Sequence, residues 1–325
     1  MRILNSAQLS AALSHAECID ALEPTMRAVS AEGAIMPLRQ YLNIPGTAGK
    51  FTMMPGYVDS PRTFGFKVVS KYPREAGSPH GSHVGAVMIF DAEEGTPIAM
   101  VDGAMLTAIR TSAASALATR VLAREDSHRL AVLGSGQQAE HHIRAISCVR
   151  PIDDIQIWSR NPDNARNLLA AMNLPPSITT HVAESPADAV ANADIVCTTT
   201  SARTPYLSAS DFQPGTHINL VGAAIVEASE VSPDVVARSR FVTDYRPSAM
   251  AQAGELAAAI AQGMVDASPS IAEIGEILAD KADGRQDVTE VTTYKSLGVA
   301  AQDLAAAWAA ARNAEAKSLG VQVDW

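Results

Sequence analysis

The stretch Arg129-Leu130-Ala131-Val132-Leu133-Gly134-Ser135-Gly136-Gln137-Gln138-Ala139 decides the fold. A short apolar run leads directly into glycines, and a helical pattern starts at once behind them. That order is the G-x-G-x-x-G/A fingerprint in its proper strand–turn–helix context. Gly134 serves the tight turn, Gly136 lets backbone approach a pyrophosphate, and Ala139 keeps the helix close to the sheet. The free N–H groups of the helix N-terminus then favour the anion. The segment Gly134, Ser135, Gly136, Gln137 and Gln138 is therefore the expected cradle of a dinucleotide.

Outward from this loop, strand-like and helical segments alternate. Strands are expected near Leu130–Leu133, Ile155–Trp158, Thr179–Val182, Ile195–Thr198, Ile218–Val221 and Phe241–Thr243, with helices over Gln138–Cys148, Ala165–Met172 and Pro186–Asn192. Alternation of this kind predicts βαβ units and a doubly wound parallel sheet. The second strand ends in Ser159-Arg160-Asn161, where NAD sites usually place a carboxylate for the ribose 2′-hydroxyl. An arginine there pairs with a 2′-phosphate instead. NADPH is the expected cofactor, NADH the alternative.

Before this region the pattern differs. Residues 6–32 read as helical and Pro37 closes them. β-like runs follow at Lys50–Met54, Gly65–Ser70, Val84–Phe90 and Pro97–Asp102, with Pro55-Gly56 and Glu94-Gly95 as turns. A Pro/Gly/His-rich loop, Pro73 to Gly85, interrupts them, and a helix over Thr107–Leu122 ends the unit. The tail Ala305–Ala316, with Trp308 among small residues, is helical and is expected to return to the first domain. The fold class is α/β: a Rossmann domain at 125–299, plus an α+β substrate-binding and dimerisation domain made of 1–124 together with 300–325.

Bulk properties exclude several functions. The chain has 325 residues, 47% of them hydrophobic and 18% charged, enough for two folded domains. Its net charge of −10 argues against nucleic acid, which needs clustered Lys and Arg. Cys18, Cys148 and Cys197 are odd in number and widely spaced, so neither a disulfide framework nor a metal site is expected. The start of the sequence lacks a signal-peptide core, and no run reaches the roughly 18 apolar residues of a membrane span. A cytoplasmic protein with no membrane partner is expected.

Four residues of the first domain could carry chemistry: Arg39, Lys67, His83 and Arg110. Lys67 sits between Phe66 and Val68 and could face solvent on the alternate side of its strand. Arg110, among small residues, is either a surface group reaching water or an inward anion clamp. His83 could contact a ligand or hold its loop.

Here the sequence resembles the ornithine cyclodeaminase/mu-crystallin family. The matching strings are Pro37-Leu38-Arg39, Met54-Pro55, Gly65-Phe66-Lys67, Phe90-Asp91, Asp102-Gly103, Thr107-Ala108-Ile109-Arg110-Thr111, the glycine loop, Asn219-Leu220-Val221-Gly222-Ala223 and Lys295-Ser296-Leu297-Gly298. The resemblance implies a homodimer. It implies that Arg39, Lys67 and Arg110 bind a substrate carboxylate and carry the catalysis. It also implies that Thr111 touches cofactor phosphate, and that Thr200, Val221, Gly222 and Ser296 line the nicotinamide side.

Two departures redirect the expected activity. Cyclodeaminases of the family place an aspartate shortly after the Val-Gly pair, where this chain has Ala224, and a glutamate two residues before Met-Pro, where it has Thr52. Both carboxylates suited to an ornithine ammonium are missing, and burying that ammonium alone is costly. The expectation is a ketimine reductase taking Δ1-pyrroline-2-carboxylate to L-proline, or Δ1-piperideine-2-carboxylate to L-pipecolate. The alternatives are an amino-acid dehydrogenase, an ornithine cyclodeaminase, and a non-catalytic NADPH-binding crystallin-like protein.

Overall fold

A computed structural model describes residues 1–73, 83–268 and 270–325, without the side chain of His83. The chain divides into two compact units. One comprises Met1–Arg110 and Val299–Trp325, the other Thr111–Gly298. The division falls inside a continuous helix, not after it at 124. Among the described residues no helix is long and apolar enough to cross a membrane.

The chain opens with β1 (Arg2–Leu4), α1 (Ser6–Ala12) and α2 (His15–Ser30). The single helix expected over 6–32 is thus two. Ser14 breaks it, because its side chain and that of Glu17 form a reciprocal capping box at the start of α2. Then come β2 (Ala34–Ile35), β3 (Gln40–Asn43), β4 (Lys50–Asp59), β5 (Arg62–Lys71), β6 (His83–Asp91), β7 (Pro97–Asp102) and α3 (Gly103–Leu122). The Pro55-Gly56 turn is not observed. Both residues lie within β4, paired with Phe66 and Gly65, and the chain reverses after Asp59.

In the second unit follow β8 (Arg129–Leu133), α4 (Gln137–Ile146), β9 (Asp154–Trp158), α5 (Pro162–Ala171), β10 (Thr179–Val182), α6 (Pro186–Val190), β11 (Ile195–Thr198) and β12 (His217–Leu220). After them come α7 (Pro233–Arg238), β13 (Arg240–Thr243), α8 (Arg246–Gln252), α9 (Gly254–Ala261), β14 (Ala272–Glu273), α10 (Ile274–Leu278) and β15 (Thr292–Lys295). The chain returns to the first unit with α11 (Ala300–Ala316) and β16 (Val321–Gln322).

The first sheet runs β16-β1-β7-β6-β5-β4-β2, with β3 also on β4. Its centre, β4 to β7, is an antiparallel meander. Helix α11 crosses this meander and packs on α2. Glycines allow the close approach: a Cβ on Gly65 would lie 3.1 Å from Leu304 Cδ2, and one on Gly56 2.8 Å from Ala300 Cβ.

The second sheet is parallel throughout, in the order β10-β9-β8-β11-β12-β15-β13-β14. Strand order reverses between β8 and β11, which makes the carboxyl end of β8 the topological switch point. Strands β11, β12 and β15 are buried along their whole length, as parallel strands covered on both faces must be. The sequence pattern predicts six strands here, and eight are found among the described residues. β14 is two residues long. β15, Thr-Thr-Tyr-Lys, lacks the apolar run by which buried strands are recognised, because the Thr292, Thr293 and Lys295 side chains find hydrogen-bond partners inside.

Candidate active site

Strand β5 alternates over its first six residues, and Thr63, Gly65 and Lys67 share its buried face. Phe64 and Phe66 take the other face, where Phe64 stacks on Phe90 with ring centroids 5.2 Å apart. Lys67 is therefore turned inward, only 4% exposed. Arg110, on α3 among alanines and serines, is 5% exposed. It is an inward group, not one that reaches water.

The two cations converge on one carboxylate. Asp303, fully buried on α11, receives Lys67 Nζ at 3.0 Å on Oδ1 and 2.8 Å on Oδ2. Arg110 Nε donates to the same Oδ1 at 2.9 Å, and its Nη1 donates to Gln302 Oε1 at 3.1 Å. Burial lowers the Lys67 pKa to about 8, helped by the Arg110 charge and, more weakly, by Arg39, while Asp303 pulls it back up. Burial pushes the Asp303 carboxyl upward, but Arg110 and Lys67 outweigh it and hold the group below the usual carboxylate range. Arg39, half-buried between β2 and β3, is close enough to act on Lys67. The buried cluster thus has two cations and one anion, with a third cation beside it. It has the charge to accept one carboxylate, and Lys67 holds a proton that moves near neutral pH. His83 opens β6 opposite Lys71. Its side chain lies outside the described residues, as do His80, Gly81 and Ser82.

In the second unit, Gly134 sits at φ +124°, and a Cβ there would meet Thr199 Oγ1 at 2.6 Å. Gly136 is the N-cap of α4. No side chain caps this helix, and a Cβ on Gly136 would meet nothing within 4 Å. An uncapped, open helix N-terminus at the switch point is a cradle for a pyrophosphate. Ser135 Oγ reaches Ser159 Oγ at 2.8 Å, tying the loop to the end of β9. Arg160 is exposed and has no partner among the described residues. Asn161 caps α5 through the Asp163 N–H. Two buried polar atoms, Gln138 Oε1 and Ser296 Oγ, lack a hydrogen bond. The glycine cradle and these orphaned groups fit a nicotinamide dinucleotide.

Thr200, Val221, Gly222 and Ser296 all follow carboxyl ends of parallel strands, on the edge that carries the glycine loop. That edge is fastened by backbone bonds from Thr199 N to Leu133 O (2.8 Å), Val221 N to Thr198 O (3.1 Å) and Ser296 N to Leu220 O (3.0 Å). Thr111 is buried on the second unit's part of α3. Glu230, 2% exposed, binds two of these segments together with Tyr206. Its carboxylate accepts from Thr200 N (2.8 Å), Thr200 Oγ1 (2.6 Å), Thr198 Oγ1 (2.7 Å), Gly222 N (2.7 Å) and Tyr206 OH (3.1 Å). Lys295 Nζ donates to Ala223 O at 2.6 Å and pairs with buried Glu255 at 2.7 Å. Asp244 accepts from the N–H groups of Leu297 and Gly298 at 2.9 and 2.7 Å.

Sequence reasoning missed Asp303, Gln302, Glu230, Glu255 and Asp244. Asp303 left one signal: a lone carboxylate in Ala300-Ala301-Gln302-Asp303-Leu304-Ala305, a helix start otherwise suited to burial.

The second unit is a Rossmann-type dinucleotide-binding domain, and the first carries a buried cationic site. The chain belongs to the ornithine cyclodeaminase/mu-crystallin family, whose profile matches residues 2–318. It is 30% identical over 297 residues to a Δ1-pyrroline-2-carboxylate reductase of Bacillus cereus, covering 91% of each chain. Among solved structures it is similar to the Thermococcus litoralis Δ1-pyrroline-2-carboxylate reductase in complex with NADH and L-proline. That match has a TM-score of 0.93 and 31% identity, covering 99% of this chain and 100% of that one. It is also similar to an archaeal alanine dehydrogenase dimer with bound NAD. There the TM-score is 0.91 and the identity 27%, covering 100% and 99% of the two chains.

Proposed function

We propose that this enzyme reduces a cyclic α-imino acid, Δ1-pyrroline-2-carboxylate to L-proline, with Δ1-piperideine-2-carboxylate to L-pipecolate as the six-ring counterpart. It is an NAD(P)H-dependent oxidoreductase acting on a carbon–nitrogen double bond. The observation that carries the substrate reading is the unbalanced charge of the Lys67–Arg110–Asp303 cluster with Arg39 beside it. One substrate carboxylate balances the single net positive charge of the buried trio, with Arg39 beside it. The named relatives in Bacillus cereus and Thermococcus litoralis support the same substrate.

In this reading the first unit binds the substrate and forms the dimer, and the second holds the cofactor. Arg39 and Arg110 grip the carboxylate by charge-assisted hydrogen bonds. Lys67 orients the ring and delivers its Nζ proton to the imine nitrogen, which makes C2 electrophilic. The nicotinamide, when bound, supplies the hydride that C2 accepts. The remaining work is positioning, which requires no further carboxylate acid. Thr52 and Ala224, in place of the cyclodeaminases' glutamate and aspartate, leave no partner for a side-chain ammonium. Gly134 to Gln138 hold the pyrophosphate, with Thr111. Ser159, Arg160 and Asn161 hold the adenine ribose, with Arg160 favouring NADPH over NADH. Thr200, Val221, Gly222 and Ser296 line the nicotinamide side.

A homodimer is supported by Leu38, Tyr41 and Leu42, which are 51%, 54% and 59% exposed around β3. The test of function is absorbance at the reduced-nicotinamide band with each imine and each cofactor. NADPH oxidation with the five-ring imine is the expected result. No turnover of either ring with either cofactor refutes the reading, and ammonia-dependent turnover of pyruvate would replace it with amino-acid dehydrogenation.

A further inference from the structure

We propose that Asp303 is a positioning residue: it sets Lys67 and Arg110 at a fixed separation and keeps Lys67 the proton donor of the site. This rests on the reading of Lys67 given above.

The geometry commits Asp303 inward. Both of its oxygens lie within 3.0 Å of Lys67 Nζ, and Oδ1 also takes Arg110 Nε at 2.9 Å. Oδ1 is taken up by both cations, while Oδ2 has Lys67 Nζ as its ion-pair partner and no further hydrogen bond. The carboxylate acts through the two cations it holds. Its place is rigid, because α11 is pressed onto β4 and β5 at Gly56 and Gly65. Gln302, one residue earlier, holds the Arg110 Nη1 and itself reaches Met26 Sδ at 3.8 Å. The guanidinium is therefore fixed at two points from one helix, and its orientation follows α11.

The charges around Lys67 give Asp303 its second task. Arg110 on α3 and Arg39 between β2 and β3 both oppose a proton on Lys67, and burial opposes it further. Cys18 on α2, beside Arg110 and Asp303, is pushed by burial up to about 12 and is a neutral thiol. Gln302 is neutral. Among the described residues, Asp303 is the one group that favours the ammonium. Without it Lys67 would sit as a neutral amine at the pH where imine protonation is required, and the site would lose its proton source while keeping its carboxylate grip.

The test compares wild type, Asp303→Asn and Asp303→Glu with two readouts. The first is the pH profile of kcat with NADPH and pyrroline-2-carboxylate. The alkaline limb is expected to move toward acid by at least about one pH unit in Asp303→Asn, with Asp303→Glu between it and wild type. The second needs no substrate: the urea midpoint as a function of pH. The rise that accompanies Lys67 deprotonation should begin near pH 8 in wild type and at least about one unit lower in Asp303→Asn. A lower kcat with both pH dependences unmoved would overturn the proposal and leave Asp303 a structural ion pair. If Asp303→Asn does not fold, Asp303→Glu decides by the same criteria. If no imine is turned over, the substrate reading fails and the urea arm alone decides on Asp303.

Discussion

Lys67→Met should make this protein more stable and nearly inactive. Lys67 is 4% exposed and its pKa falls from 10.5 to about 8 on folding. The unfolded chain therefore holds more protons between pH 8 and 10.5, and the Lys67 contribution to stability rises with pH across that window. Below pH 8 the full penalty of burying the ammonium is present. A difference of about 2.5 units at 1.36 kcal/mol each is a penalty of about 3 kcal/mol. Methionine has similar length and no charge, and Arg110 still balances Asp303 one to one. At pH 7 the variant should gain about 3 kcal/mol in urea unfolding, and that advantage should shrink toward zero as pH passes 10.5. Its kcat/KM for the imine should fall at least about 100-fold, the usual worth of a placed proton donor. Trading stability for function in this way is expected of active sites. A variant less stable than wild type at pH 7, or an advantage that does not vary with pH, would refute the reasoning.

Arg160→Ala should raise the KM for NADPH about tenfold or more and leave NADH unaffected; equal loss with both cofactors would show that Arg160 does not meet a 2′-phosphate. Gly136→Val should abolish dinucleotide binding in a fluorescence titration with little change in melting temperature, because its side chain enters open space. Gly134→Ala should destabilise the fold itself, because of its positive φ and the clash with Thr199; thermal unfolding separates the two glycines. Glu230→Gln sets an amide N–H₂ against donors now accepted by a carboxylate, at about 1.5–3 kcal/mol for each charged hydrogen bond lost. Cofactor affinity measured by calorimetry should fall at least about tenfold, and unchanged affinity would count against its role in holding Thr200 and Gly222.

The parts legible in the sequence are those written in local pattern. The glycine loop is readable because strand, turn and helix signals agree within eleven consecutive residues. Parallel strands announce themselves by apolar runs, and β15 escapes because burial there is satisfied by hydrogen bonding: Thr292 pairs with His217 and with Leu122 O. Lys67 could not be placed on a face by its neighbours, since the aromatic residues of β5 lie on the outer side and the usual inside–outside rule is reversed. Asp303 and Glu230 act on residues far along the chain or across several loops, and no spacing rule connects such partners. The turn expected at Pro55-Gly56 failed for a related reason. Gly56 is small because Ala300 lies against it, a contact set by tertiary packing.

The placement of Asp303 also orders the making of the site. Lys67 and its carboxylate are 236 residues apart in sequence, with the whole second unit synthesised between them. On the ribosome, the meander carrying Lys67 and the start of α3 carrying Arg110 emerge as two cations with an open sheet face and no counter-charge. The second unit can fold while they wait, since its residues are contiguous. The last helix, which packs on the meander, then brings the anion. The Lys67–Arg110–Asp303 cluster can thus be completed only once α11 has been made, and a chain released before α11 would lack its carboxylate.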